Sequence, residues 1–273
     1  MTVGPPVERP ARPAFGALLR SWRERRRISQ LELASRADSS ARHISFIETG
    51  RARPSPAMVL RLAEHLDVPV RDRNALLVAA GYAPAFPETP LDEPAMAPLR
   101  AEMERLLAAY DPSPALLVNG VFDVLAANRG VAALLNGVPE HLLRPPLNAM
   151  RISLHPDGLA PRIRNLLQWR THLLERVERQ LAVRDSVPLR ELLREVAAYP
   201  VPAGHPPEEH PHAVALPLRI EVGGQLLSFL STVTTFNTPM DVTVSELAVE
   251  TLLPADPETA GAMRDLVGAA AGA

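Results

Sequence analysis

The side chains best suited to ligand chemistry in this 273-residue chain are its arginines. All 29 basic residues are Arg, and none is Lys. Residues 15–83 carry 12 Arg against 7 acidic residues, whereas residues 84–273 carry 15 Arg against 23. The net charge of −2 is therefore a cancellation between a basic first part and an acidic remainder. The basic part predicts a polyanionic partner such as DNA, and uneven solvated surface charge is the alternative interpretation.

Histidine and carboxylate side chains form the second group of residues that could bind a ligand or a metal ion. His205, His210 and His212 stand with two glutamates in the sequence GHPPEEHPH, which is broken by proline. No helix or strand is predicted to carry them, so a solvated loop is favoured over a metal site. For His155 and Asp157, in SLHPDGLAP, a cap-and-turn role is favoured over a ligand contact.

No pattern in the chain predicts catalysis. It has no Cys, which excludes disulfides, thiol chemistry and thiolate-bound zinc. It also lacks a phosphate-binding glycine loop, a G-x-S-x-G nucleophile and an H-E-x-x-H zinc motif. The sequence therefore predicts no catalytic residue, no metal ligand and no cofactor. An enzyme fused to a DNA-binding module is the least favoured class.

The basic part predicts five short helices. Phe15, Leu18, Leu19 and Trp22 have helical spacing in the first. The second begins with the capping box Ser29–Glu32. A tight turn separates it from a third helix over Ser40–Thr49, and two more follow, the last ending near Gly81. Residues 15–83 therefore predict an all-α helix-turn-helix domain. Residues 1–14, with four prolines, predict a disordered tail.

The acidic part begins with a proline-rich linker and a connecting helix, residues 84–110, and then has mixed patterning. Residues 111–273 predict an α+β domain with an antiparallel sheet. The elements expected are strands at Leu116–Val118 and Phe122–Leu125 around an Asn-Gly turn, helices over 161–183 and from Pro188, a hairpin of 213–222 and 225–233 about Gly223-Gly224, and a strand at Leu247–Leu253.

The string from Ile28 to Val68, ISQLELASRADSSARHISFIETGRARPSPAMVLRLAEHLDV, closely resembles the Xre family, the Cro and lambda-repressor type of helix-turn-helix. Asp38 stands where that family usually has a turn glycine, and Asp tolerates the left-handed conformation. The resemblance implies a buried ion pair between Glu48 and Arg23. It also implies DNA contacts by Gln30, Ser40, Ala41, Arg42, Ser45, Phe46, Arg51 and Arg53.

The implied DNA contacts differ in kind. Gln30, at a helix N-terminus, and Arg51 and Arg53 would bind phosphates. The other five lie on the helix face that the resemblance places in the major groove. There Arg42 would pair with guanine, with a plain phosphate contact as the alternative. Phe46 would pack against a thymine methyl, with core packing as the alternative.

Four further stretches are similar to the MmyB-like transcription regulators: RNALLVAAGYAPAF, YDPSPALLVNGVFDVLAANRGVAALL, SLHPDGLAPRIRNLLQWRTHLLERVERQ and the C-terminal hairpin. This resemblance implies a PAS-like domain that encloses a small, fatty-acid-like ligand. Apolar side chains with a few polar groups are expected to line such a cavity. The candidates are Phe122, Trp169, Leu173, Leu227 and Phe229, with Arg162, Arg170 or His172 near a ligand carboxylate. A filled core is the alternative.

Together these features predict a sequence-specific transcription regulator that binds a double-stranded DNA operator and a small apolar ligand. One helix-turn-helix covers a half-site, so a homodimer is expected. The alternative is a DNA-binding adaptor whose acidic domain binds a protein partner instead. The sequence shows neither a membrane span nor the apolar run of a signal peptide, so a cytoplasmic protein without a membrane partner is expected.

Overall fold

The computed structural model describes residues 14–183, 186–201, 216–236 and 239–271. The described residues up to Glu88, together with Pro239–Ser245, form one unit, and the others form a second unit. Apart from Ala14, the predicted disordered tail lies outside the described residues, as do His205, His210 and His212. Within the described ranges, no helix has the length and hydrophobicity that a membrane span requires.

The first unit contains the five predicted helices: α1 (Phe15–Arg25), α2 (Gln30–Arg36), α3 (Ala41–Glu48), α4 (Pro56–His65) and α5 (Val70–Ala79). Local capping sets where three of them begin. The hydroxyls of Ser29, Ser40 and Ser55 accept the backbone N–H of the residue three positions later. The prediction of a five-helix domain is confirmed.

Backbone geometry brings α3 close to α1 and sets the turn that precedes it. Gly16 lies where a side chain does not fit, because a Cβ atom there would be 2.3 Å from the carbonyl oxygen of Glu48. Asp38, in the turn between α2 and α3, has a φ of 50°, the left-handed conformation predicted for it. Ile44 and Ile47 lie on the buried side of α3.

The second unit is built on one antiparallel sheet with the strand order β2-β1-β5-β4-β3. The strands are β1 (Ala115–Val118), β2 (Val124–Ala127), β3 (Pro217–Val222), β4 (Gln225–Thr235) and β5 (Ala248–Pro254). Its helices are α6 (Ala97–Ala109), α7 (Arg129–Leu134), α8 (Glu140–Leu143), α9 (Ala149–Leu154), α10 (Leu166–Val183), α11 (Val187–Ala197) and α13 (Pro257–Ala271), while the short α12 (Val242–Ser245) belongs to the first unit. The predicted α+β class is confirmed.

The largest differences from the predicted elements lie at Phe122 and at the start of the long helix, while residues 213–215 of the predicted hairpin lie outside the described residues. The Asn119 side chain accepts the N–H groups of Val121 and Asp123, so the connection after β1 is longer than a two-residue turn. Phe122 lies within this connection with a φ of 65°, not in a strand. The predicted helix over 161–183 is interrupted because residues 163–165 pair with β3, and α10 begins only at Leu166.

The sheet separates two apolar clusters. On one face, side chains of β3 and β4 pack with those of the helices, including Trp169 of α10 and Met263 of α13. On the other face, Leu117 of β1 and Val249 of β5 pack against Met103 of α6. Strand β5 places the two clusters on opposite faces, because Val249 belongs to one and Leu252, three positions later, packs against the other.

Candidate nucleic-acid interface and ligand groove

The predicted DNA-reading residues lie on α3 and at its N-cap. Ser40 is the N-cap and Arg42 is exposed, while Ala41, Ser45 and Phe46 are partly exposed. The opposite side of the helix carries the buried Ile44 and Ile47. The five predicted residues are therefore accessible to a partner along one short helix.

Two arginines contact the Phe46 ring. The guanidinium carbon of Arg42 lies 5.2 Å from the ring centroid, and that of Arg51 lies 5.9 Å from it. Cation–π contacts at these distances restrain a guanidinium without using its N–H donors. Within the described part of the chain, neither arginine forms an ion pair with a carboxylate. The donors of both remain available for bases or phosphates.

A buried ion pair joins α1 to the end of α3, as the family resemblance implies. Arg23 donates to both Glu48 carboxylate oxygens, at 2.7 and 3.0 Å, and the Gln30 amide donates to one of them at 2.8 Å. Burial alone would raise the pKa of Glu48, but the hydrogen bonds from Arg23 and Gln30 hold that pKa below its ordinary value. This network fixes Gln30 at the start of α2, where its predicted phosphate contact stays a prediction.

Arg53 has a structural role that the sequence did not predict. Its guanidinium donates to the carbonyl oxygens of Ala80 and Gly81, at 3.2 and 3.3 Å, and lies 4.9 Å from the Tyr82 ring centroid. It thereby binds the C-terminal end of α5. Its predicted phosphate contact remains open, since a guanidinium has five N–H donors.

Arg51→Ala should weaken binding to the operator and to unrelated DNA alike. Loss of one phosphate contact lowers the dependence of log K on log salt by about one. Arg53→Ala should give the same change of slope together with a lower melting temperature, because α5 loses its contact. Titrations at several salt concentrations measure both. Unchanged slopes would show that these arginines do not bind phosphate.

The five apolar ligand candidates lie together, but in a packed cluster. Phe122, Trp169, Leu173, Leu227 and Phe229 are each at most 5% exposed and belong to the larger core cluster of the second unit. This arrangement matches the filled-core alternative for these residues. Their role in ligand binding stays a prediction.

Two of the three predicted cations donate hydrogen bonds to backbone carbonyls. Arg162 donates to the carbonyl oxygens of Glu221 and Asn136, and Arg170 donates to those of Ala197 and Tyr199 at the end of α11. Burial and the positive charges of Arg179 and Arg176 lower the pKa of His172, which disfavours a cationic imidazole beside a ligand carboxylate.

An apolar groove of about 440 Å³ lies on the other face of the sheet. Its walls come from α6, β1, β2 and the chain before α6, namely Leu91, Asp92, Leu99, Arg100, Met103, Glu104, Leu117, Leu125 and Ala126. Arg100 donates to the carbonyl oxygens of Leu91 and Glu93, which fixes the segment that closes one end. The lining includes none of the predicted ligand residues. The sequence predicted a connecting helix within residues 84–110 and strands at Leu116–Val118 and Phe122–Leu125, but not that these elements enclose a groove.

Comparison with known proteins first defines the class. Residues 14–76 match the family model described as a helix-turn-helix domain. An uncharacterized HTH-type transcriptional regulator, RghRB of Bacillus subtilis (strain 168), is 41% identical over 75 residues, which are 27% of this chain and 52% of the relative. The HTH-type transcriptional repressor RghR of the same organism is 41% identical over 70 residues, 25% of this chain and 50% of the relative.

The chain thus spans about half the length of the curated relatives it matches. The second family model covers more of the chain. Residues 99–266 match the MmyB-like transcription regulator ligand binding domain. Because this match covers more than half of the 273 residues, the chain belongs to the MmyB-like transcription regulators.

Proposed function

We propose that this protein is a sequence-specific DNA-binding transcription regulator whose affinity for its operator responds to a small apolar ligand. The observation that carries the proposal is the aliphatic groove of about 440 Å³ in a ligand-binding domain that shares its chain with a helix-turn-helix. The protein would act in the cytoplasm as a binding protein, not as an enzyme.

DNA recognition would use the exposed side of α3, with Arg42 and Phe46 facing bases and Arg51 facing the backbone. A single helix-turn-helix reads one half-site in the major groove. We therefore propose a homodimer that reads two half-sites with centres about 34 Å apart, one helical turn of DNA.

The groove fits a ligand better than the core around Trp169 does. Small-molecule sites have volumes of roughly 300–1,000 Å³, with mostly apolar walls and a few polar groups. Leucine, methionine and alanine side chains provide the walls, and Asp92, Arg100 and Glu104 are polar. An aliphatic, fatty-acid-like molecule matches such walls.

The chain offers two covalent routes from this domain to the first unit. Leu91 and Asp92, which line the groove, follow shortly after Glu88, where the first unit ends. The chain between β4 and β5 also contributes Pro239–Ser245 to the first unit, where the Val242 N–H donates to the Pro87 carbonyl at 2.8 Å. A ligand that binds two states of these segments with different affinities would shift DNA binding.

Leu125→Arg should abolish ligand retention. Leu125 lines the groove and is 42% exposed, so a charged side chain there enters the groove without disturbing the core. Leu226→Arg is the matched control, since Leu226 is 47% exposed on β4 and does not line the groove. Native mass spectrometry of the purified proteins measures the retained molecule.

We expect a small molecule on the wild type and on Leu226→Arg, lost on denaturation, and none on Leu125→Arg. Equal retention by all three proteins would place the ligand elsewhere, such as near Trp169. A wild-type protein without any retained molecule would favour the adaptor, whose C-terminal domain binds a protein partner.

A further inference from the structure

Two histidines and an aspartate meet on the helical side of the second unit. His141 lies on α8, His155 follows α9, and Asp157 lies in the turn after it. One potential ligand atom from each lies within 4.8 Å of the other two. Neither the DNA-binding residues nor the groove includes any of these side chains.

The turn that carries His155 and Asp157 is held by backbone contacts. The Gly158 N–H donates to the His155 carbonyl, and the Leu159 N–H donates to that of Ile152, both at 2.9 Å. A Cβ atom at Gly158 would lie 2.3 Å from the Ile152 carbonyl oxygen, so this close approach requires glycine. The positions of His155 and Asp157 are consequently fixed by the end of α9.

The His155 ring is oriented by its neighbours. Nδ1 accepts the N–H of Asp157 at 3.0 Å and lies 3.9 Å from the Asp157 carboxylate. The ring packs edge-on against Tyr199, with centroids 5.0 Å apart. Tyr199 donates to Glu195 at 2.6 Å, and Arg151 makes two hydrogen bonds to that carboxylate. These hydrogen bonds hold Tyr199 in place beside the His155 ring, which restrains the imidazole.

The charges beside the cluster favour a cation. Arg151 is paired with Glu195, and Arg144 lies 3.4 Å from Glu140, so both arginines are compensated. Asp157 adds a carboxylate that is 63% exposed and free to turn toward the imidazoles. His141 is exposed as well, so both side chains can adjust without disturbing the core.

We propose that His141, His155 and Asp157 bind a divalent transition-metal ion of the Zn²⁺ type. His155 would bind through Nδ1, in place of the Asp157 N–H, with a His141 nitrogen and an Asp157 oxygen completing the protein ligands. Imidazole with carboxylate suits Zn²⁺, whereas Ca²⁺ and Mg²⁺ prefer oxygen ligands alone. Zn–N and Zn–O bonds of roughly 2.0–2.2 Å require the exposed side chains to close on His155. Three protein ligands leave a position for water.

The test is a titration of the full chain with Zn²⁺, with Co²⁺ as a spectroscopic probe of imidazole coordination. His141→Ala and Asp157→Asn should each weaken binding roughly tenfold or more, because loss of an outer-shell partner alone typically costs roughly 10–100-fold and these residues are proposed ligands. Both residues are exposed, so both variants should keep the wild-type melting temperature.

Two control variants test whether histidines in other parts of the chain bind the ion. His65→Ala changes a histidine on α4, and the triple variant His205→Ala, His210→Ala, His212→Ala removes the histidine-rich segment. One ion per chain, retained by both controls, is the expected result. Binding that disappears in the triple variant, or that is unchanged in His141→Ala and Asp157→Asn, would overturn the proposal. The readout is metal binding itself, so it is independent of ligand sensing and DNA binding.

Discussion

Glu48→Ala should lower the free energy of unfolding of the helix-turn-helix unit by about 3–5 kcal/mol. Removing one partner of a buried ion pair leaves the other charge uncompensated, and losses of this size are typical. The Glu48 side chain is 1% exposed and that of Arg23 is 11% exposed, so water compensates neither well. The substitution also removes the acceptor of the Gln30 amide at the start of α2.

Urea unfolding followed by Trp22 fluorescence measures this loss. The chain has two tryptophans, and Trp169 lies in the other unit, so a Trp169→Phe background makes the signal specific for the first unit. Glu24→Ala is the control, because Glu24 is 60% exposed and makes only a surface ion pair with Arg20 at 3.3 Å and a long contact of 3.9 Å with Arg23. We expect less than about 0.5 kcal/mol for the control. A loss below about 1 kcal/mol for Glu48→Ala would contradict the assigned role of the network.

The same network predicts the sign of a pH effect. The hydrogen bonds from Arg23 and Gln30 hold the pKa of folded Glu48 below its ordinary value, so the unfolded chain binds the proton more readily. The stabilisation is complete above the unfolded pKa of about 4.3 and is lost as pH falls through the lower folded pKa. Acid should therefore destabilise the wild type more steeply than Glu48→Ala.

Arg42→Ala should reduce operator binding without an equal loss of binding to unrelated DNA. A bidentate arginine–guanine contact contributes roughly 1–3 kcal/mol of discrimination, or about 5- to 150-fold. The Phe46 ring contacts the Arg42 guanidinium and orients it. Phe46→Ala should therefore cause part of the same loss of operator binding. Both side chains are accessible on α3, so neither substitution should alter folding.

The decisive quantity for Arg42 is the ratio of operator to non-specific affinity. Competition titrations with operator and scrambled duplexes at one fixed salt concentration measure it, with Arg51→Ala as the matched comparison. We expect the ratio to fall for Arg42→Ala and to stay constant for Arg51→Ala. Parallel losses on both duplexes for Arg42→Ala would favour the alternative that Arg42 is a phosphate contact.

The helix-turn-helix unit could be predicted almost completely because local interactions determine it. Ser29, Ser40 and Ser55 each cap a helix within three residues of sequence, and Asp38 adopts the left-handed turn. The contact between Arg53 and the end of α5 was not predictable from the sequence, since it joins residues 27 and 28 positions apart.

The second unit was predicted less well because its boundaries depend on distant pairing. Residues 163–165 have helical spacing, yet Ile163 pairs with Ile220 of β3 and interrupts the helix. Phe122 has the pattern of a strand residue, but the Asn119 side chain turns the backbone before β2. The hairpin at Gly223-Gly224 was predicted correctly, since two glycines at positive φ set its register.

The groove was missed for the same reason. Its lining comes from four separate segments, which are brought together only by the pairing of the strands and the packing of α6. One of these segments contains Leu91, which lies in the predicted proline-rich linker. The residues chosen instead, around Trp169, are apolar and large, and that pattern describes a packed core equally well.

The central claim is ligand-dependent recognition of a specific DNA site. Its most direct test is a binding and footprinting titration of the full chain on the DNA upstream of its own gene, with and without an organic extract of the source cells. We predict one protected site with two half-sites about 34 Å apart. We also predict that the extract changes the affinity by about 5- to 150-fold, the usual range of allosteric coupling. Absence of a site-specific complex on any fragment at low salt would contradict the account.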